Sequence, residues 1–212
     1  MLNRNLLVAA LLGAGLAFSS LAHSHAAGAA AAATAATPAA PAAHAATAAR
    51  TAPARTITEA QVLAAQQAWG RALVQISSDF ASGGIALATA TASAVLDAAY
   101  GYQMGPVLFK PTLTTAPHTF RTTREGALAY FVGNNPAFPN DRGFALKGWT
   151  NVEVRNAAVF IHGDIAKTMG NVTLTNHDGS RTTVDKTWGY RLDPQGNLRI
   201  VLHHSSLPFT GS

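Results

Sequence analysis

Residues 181–206 read RTTVDKTWGYRL, then DPQG, then NLRIVLHHSS. Two alternating runs flank a turn rich in Asp, Pro and Gly, so the segment is read as an antiparallel hairpin of strands 181–192 and 197–206. Upstream, Asp178-Gly179 is a second hairpin signal. Before it the same period of two predicts strands over 144–155 and 157–174, the latter bent or split at His162-Gly163-Asp164. Trp149, Trp188 and Tyr190 fall at positions suited to one buried sheet face and read as packing residues. Asn171-Val172-Thr173 has the form of a glycosylation sequon, but within a predicted strand it is read as a chance match.

The pattern changes ahead of the loop 134–143. Thr58-x-x-Gln61 has capping-box form, and Val62, Trp69, Leu73 and Ile76 then recur at helical spacing, predicting a helix over 58–77. Asp79 to Tyr100 reads as a second helical segment of small residues, broken early at Gly83-Gly84. Thr122-x-x-Glu125 is another capping box, opening a short helix through Leu128, Tyr130 and Phe131 that ends at Gly133. Helices followed by antiparallel strands give an α+β fold. A long leading helix on a strongly curved, mainly antiparallel sheet is the plan of the NTF2-like cone folds, which enclose a pocket with one open mouth.

The chain has 212 residues, no cysteine, 12 % charged residues and a formal charge of +5. Without cysteine there is no disulfide scaffold, thiolate zinc site or Cys nucleophile. The positive balance comes from one end. Arg4, Arg50 and Arg55 precede the first acidic residue, Glu59, which leaves 12 basic and 10 acidic residues over 56–212. That is no nucleic-acid-binding profile, which needs a clustered basic face. Arg4, the apolar run Leu6–Phe18 and small residues at Ser20-Leu21-Ala22 or Ser24-His25-Ala26 make 1–26 a secretory signal, too short to span a bilayer. The expectation is a periplasmic or secreted protein with no membrane span after cleavage. Residues 27–55 are an Ala/Thr/Pro tract with no large apolar side chain to bury, read as a disordered tether. His23, His25 and His44 there read as solvated. The folded domain is 56–212.

The most unusual polar cluster is His203-His204-Ser205-Ser206, at the end of the last predicted strand. Alternation puts His203 with Ser205 on one face and His204 with Ser206 on the other, and does not say which face lines the pocket. A second cluster runs from Tyr100-Gly101-Tyr102 to Leu108-Phe109-Lys110-Pro111-Thr112. Pro111 restricts Lys110 to an extended conformation and so directs Thr112. Tyr130 is an aromatic whose hydroxyl can reach a polar partner.

Four separated pieces resemble the iota-class carbonic anhydrases in family order. They are Leu108-Phe109-Lys110-Pro111-Thr112, Ala129-Tyr130-Phe131-Val132-Gly133, Thr187-Trp188-Gly189-Tyr190 and His203-His204-Ser205-Ser206-Leu207-Pro208. The resemblance spans about 57–209 and is most specific in its closing run. It implies an NTF2-like fold and reversible hydration of carbon dioxide to bicarbonate and a proton. It also implies a pocket lined by Thr112, Tyr130, His203 and Ser205, with Tyr102, His204, Ser206 and Lys110 as secondary candidates.

Zinc enzymes of this activity lower the pKa of water from 15.7 to about 7, usually with three His ligands. The folded part offers only His118, His162, His177, His203 and His204. Two of these fall in predicted turns, and the last two point to opposite faces, so a three-His site is hard to build. The family includes metal-dependent members, so zinc or manganese is the alternative to the expected metal-free site. In that site the hydroxyls of Thr112, Tyr130 and Ser205 hold water and the bicarbonate oxygens, and His203 accepts or relays the proton. Two other function classes fit the same fold plan. One is a non-catalytic NTF2-like oligomerisation or ligand-binding module. The other is an isomerase or cyclase, which needs a carboxylate base in the pocket, with Asp97 and Asp185 as its candidates. A homodimer is expected by analogy with other folds of this plan.

Overall fold

The computed structural model describes residues 55–211. The expected export signal, 1–26, and all of the expected tether except Arg55 lie outside the described residues. The order of elements is α1 (Glu59–Ala99), a 3-10 turn at Tyr102–Met104, β1 (Leu108–Lys110), α2 (Arg124–Val132), a second 3-10 turn at Phe144–Leu146, and then β2 (Trp149–His162), β3 (Ile165–Asn176), β4 (Arg181–Leu192) and β5 (Leu198–Ser206).

The Thr58 capping box forms as read: the Thr58 side chain accepts from the Gln61 amide and the Gln61 side chain accepts from the Thr58 amide. The helix it opens does not stop at 77. It runs 41 residues to Ala99 and kinks at Gly84, where φ is 68° and ψ −165°, a conformation that glycine adopts without strain. One stretch of α1 is long and apolar enough, by composition, to cross a bilayer. Its residues Ala88, Ala92 and Leu96, however, are buried in the core at helical spacing. The cap of α2 lies one residue later than the sequence suggests. Thr123, not Thr122, accepts from the Gly126 amide, and Glu125 accepts instead from the Asn135 side chain.

The five strands lie in the order β1-β5-β4-β3-β2. The meander β2–β5 is antiparallel, and β1 adds to it in parallel, with Phe109 opposite His203 and Lys110 opposite His204. β1 is a fifth strand where the sequence pattern predicted four; three residues are too few to show a period. The first two predicted strands also shift. Residues 144–146 form the 3-10 turn rather than strand, and the expected gap near 156 is a bulge between Asn156 and Ala158 inside a continuous β2. Gly170 of β3 faces this bulge, where a Cβ would press on the Arg155 carbonyl and the backbone of Asn156 and Ala157. Bulges bend a strand and raise its twist, and this one is tied to α1 by a reciprocal amide pair, Gln66 with Asn156, at 2.8 and 2.9 Å.

Apolar residues of α1, α2 and the inner sheet face form a single core cluster that includes Trp69, Leu73, Leu96, Phe109, Phe131, Leu174 and Trp188. Trp149, Trp188 and Tyr190 are buried in it, as their spacing suggested. The polar site opens within this core, between the end of β5 and the helices.

Candidate active site

Strand alternation and the core together settle which face of the His-Ser run points inward. His203 and Ser205 are each 2 % exposed, while His204 is exposed and Ser206 half-buried. The inward face of β4 brings Val184, Lys186 and Trp188 alongside, with Lys186 opposite Ser205 and Trp188 opposite His203. Thr112 follows β1 directly behind the buried Pro111, so the parallel pairing of β1 with β5 delivers it to Ser205. Their hydroxyl oxygens are 2.5 Å apart. Tyr130 comes from the buried face of α2, and its ring meets Phe109 edge-on and stacks on Phe144.

These side chains line one small cavity together with Trp69, Phe131 and Leu174. It offers about 10 Å³ to the centre of a water molecule, roughly the space of one water. Thr112, Tyr130, His203 and Ser205 thus share a single hollow. The secondary candidates do not line it. Tyr102 donates to the Arg121 carbonyl at 3.0 Å, Lys110 donates to the Ser205 carbonyl at 3.2 Å, and His204 and Ser206 face away. Among the described residues no acidic side chain lines the cavity. Asp97 pairs with Arg124, and Asp185 accepts from Asn171 on the exposed sheet face, so the carboxylate base of an isomerase is missing here.

Burial sets the electrostatics. It pushes the Tyr130 phenol up in pKa, against the pull of the Leu113 and Thr112 backbone amides and the Thr112 side chain, so the phenol stays protonated and able to donate. Burial also holds His203 well below the usual histidine range, helped by the charge of Lys186, so its ring is neutral at physiological pH. Both ring nitrogens of His203 are engaged. Nδ1 lies 2.8 Å from the Tyr100 hydroxyl and Nε2 lies 2.7 Å from Lys186 Nζ. Tyr100 in turn accepts from the Trp69 indole N–H at 3.0 Å, and the imidazole stacks on Phe109 with centroids 4.4 Å apart. The sequence reading had His203 accept or relay the proton. With both nitrogens engaged, any proton that reaches the ring comes through Tyr100 or Lys186.

Lys186 and Trp69 are the site residues that sequence reasoning missed, and Tyr100 opened its second cluster without being assigned a role. Trp69 carries no sequence sign of a polar role. Lys186 does carry one: it holds an inward register position between Val184 and Trp188, where an ammonium belongs only if the site uses it. Among the described residues no three His, Asp or Glu side chains converge into a metal-binding group.

A family model described as metal-independent carbonic anhydrase matches residues 60–207. This chain belongs to that family. A metal-independent carbonic anhydrase from Nostoc sp. (strain PCC 7120 / SAG 25.82 / UTEX 2576) is 62 % identical over 155 residues, 73 % of this chain and 76 % of the relative. The crystal structure of a cyanobacterial iota-carbonic anhydrase complexed with bicarbonate aligns with a TM-score of 0.73 at 61 % identity, over 74 % of this chain and 96 % of that one. An NTF2-like superfamily protein from Salmonella enterica subsp. enterica serovar Typhimurium str. LT2 is a looser likeness, at 15 % identity and TM-score 0.40 over 71 % and 96 % of the two chains. The expected resemblance, the α+β plan and the metal-free reading of the site all agree with membership of this carbonic anhydrase family.

Proposed function

We propose that the cavity hydrates carbon dioxide reversibly to bicarbonate and a proton, with side-chain donors doing the work a metal does elsewhere. The observation that carries this reading is the Thr112–Ser205 hydroxyl pair, 2.5 Å apart, in a buried hollow shared with a phenol that stays protonated. Fixed donors in a water-poor site stabilise developing negative charge without the reorganisation that bulk water requires. Thr112, Ser205 and Tyr130 orient the attacking water and hold the oxygens of the forming bicarbonate. Phe109, Phe131, Leu174 and Val184 give linear, apolar CO₂ a surface that prefers it to water.

Stopped-flow CO₂ hydration after exhaustive chelation tests the proposal, with Thr112→Val, Tyr130→Phe and Ser205→Ala beside the parent. Activity that survives chelation and falls in each variant is the expected result. Activity abolished by chelation and restored by zinc or manganese overturns it.

Two further readings concern the setting of the domain. Export is supported by the charged start and short apolar run of 1–26, and N-terminal sequencing of the mature protein checks it. A homodimer is supported by the outer face of the sheet, where Phe160 and Met169 are each 62 % exposed on adjacent strands. Light scattering of the parent and of Phe160→Asp gives a dimer and a monomer if the second copy sits there.

A further inference from the structure

We propose that Lys186 carries the working charge of this site, taking the proton of the attacking water as an amine and holding the bicarbonate product as an ammonium, with His203 as the residue that positions it. The inference rests on the carbonic anhydrase reading given above and goes beyond it.

Geometry makes the case. Among the described residues, Lys186 is the only lysine, arginine, aspartate or glutamate whose side chain lines the cavity. It is 6 % exposed, and no carboxylate among the described residues forms an ion pair with it. What surrounds it instead is the face of Trp69 at 5.1 Å, the face of Trp188 at 5.4 Å, and His203 Nε2 at 2.7 Å. Aromatic faces attract a cation without neutralising it, so the charge stays available to an anion. An ammonium can only donate, so Nε2 must be the bare nitrogen of a neutral ring. The ring hydrogen then sits on Nδ1 and is donated to the Tyr100 oxygen, which the Trp69 N–H also reaches. This chain of contacts from Trp69 fixes one N–H of Lys186 and leaves the rest of the amine head free to face the hollow.

The step balances without any further reactant. The water oxygen forms the new C–O bond to CO₂, one water O–H bond breaks, and its proton joins the lone pair of the Lys186 amine. Bicarbonate and ammonium are left side by side. When bicarbonate departs, the ammonium returns its proton to solvent. The reverse reaction runs the same bonds backwards, with the ammonium protonating the departing hydroxyl.

The groups that face Lys186 allow this cycle near neutral pH. From β5 come neutral His203 and the Ser205 hydroxyl, from α1 Trp69 and from α2 Tyr130; Tyr100 lies behind His203 on its Nδ1 side, and the β3 neighbour, Gly170, has no side chain. Asp185 and His204 sit on the outer face, Lys110 lies behind Ser205, and Asp141 is engaged by Arg121. Burial without a counter-charge pulls the Lys186 ammonium down from 10.5 to about 7, where it can both gain and lose a proton during turnover.

Two measurements test the proposal. The first is the pH profile of CO₂ hydration for the parent and Lys186→Met. The parent's kcat is expected to rise with pH through neutrality, and the variant is expected to lose about 100-fold or more together with that rise. The second is an NMR titration of lysine labelled at Cε and Nζ in the parent. One lysine resonance, absent from Lys186→Met, should titrate near neutral pH and move on adding bicarbonate. A variant with the parent's rate and pH profile, or a Lys186 resonance that titrates near 10.5 and ignores bicarbonate, overturns the assignment of Lys186 alone. A parent that does not hydrate CO₂ overturns the carbonic anhydrase reading, and the bicarbonate titration still decides whether Lys186 is an anion partner.

Discussion

Replacing Lys186 with methionine should stabilise the protein at low pH and lose that advantage as the pH rises. In the unfolded chain the ammonium titrates at its ordinary 10.5, and in the folded protein at about 7. At about 1.4 kcal/mol per unit, folding with this lysine charged costs about 5 kcal/mol. The sign follows from proton binding. Below pH 7 both states hold the proton and the whole cost is present. Between pH 7 and 10.5 only the unfolded chain binds it tightly, so the parent gains stability as pH rises through that window. Methionine keeps the apolar stem and removes the charge, but leaves His203 Nε2 without its donor, which costs about 1–3 kcal/mol. Lys186→Met should therefore be about 2–4 kcal/mol more stable than the parent at pH 6 and no more stable than the parent at pH 10. Urea unfolding followed by tryptophan fluorescence at pH 6, 8 and 10 measures the difference directly. A difference that stays constant across the range, or a variant weaker at pH 6 than at pH 10 relative to the parent, would refute the argument that an uncompensated charge is buried here.

Other substitutions probe the site and its supports. Thr112→Val and Ser205→Ala should each lower kcat for hydration by about 100- to 1000-fold, and the double variant by little more than either alone, because the two hydroxyls share one hydrogen bond; stopped-flow assays of the three proteins check both points. Asp141→Asn leaves the Arg121 guanidinium, 3 % exposed, without its counter-charge, and should cost about 3–5 kcal/mol in urea unfolding. Gly170→Ala forces a methyl against the Arg155 carbonyl at the β2 bulge and should lower stability by about 1–3 kcal/mol, read as a reduced thermal midpoint.

What could be read from the sequence was whatever repeats locally. The 181–206 hairpin, the Thr58 cap and the split of the His-Ser run into two faces each depend on a period or a short-range hydrogen bond, and each has a counterpart in the structure. What escaped was set by long-range pairing. Three residues of β1 become a strand only because β5 lies beside them, more than ninety positions away. The bulge at Asn156 looks like a strand end until α1 supplies Gln66 to bond it. The choice of His203 and Ser205 over their neighbours is made by the core, since alternation alone treats both faces alike. Lys186 was written in the register of β4, but it stands in a run whose other inward residues all read as packing.

The hydroxyl donors and the buried lysine answer a single requirement. A zinc ion lowers the pKa of its water from 15.7 to about 7, which corresponds to about 12 kcal/mol of hydroxide stabilisation at about 1.4 kcal/mol per unit. A fixed neutral donor is worth about 2.7–4 kcal/mol, and Thr112 and Ser205 use part of their capacity on each other. Hydroxyls alone therefore fall short of what a metal provides. A unit positive charge at about 4 Å contributes about 4 kcal/mol at the effective dielectric of a protein site, as much as the strongest single donor, and among the described residues Lys186 is the one charged side chain on the cavity wall that can add it. The same charge carries a folding penalty, because no carboxylate among the described residues neutralises it. A carboxylate there would remove that penalty and, with it, the field that the product anion needs. The missing counter-charge is thus the feature that links the cost in stability to the chemistry.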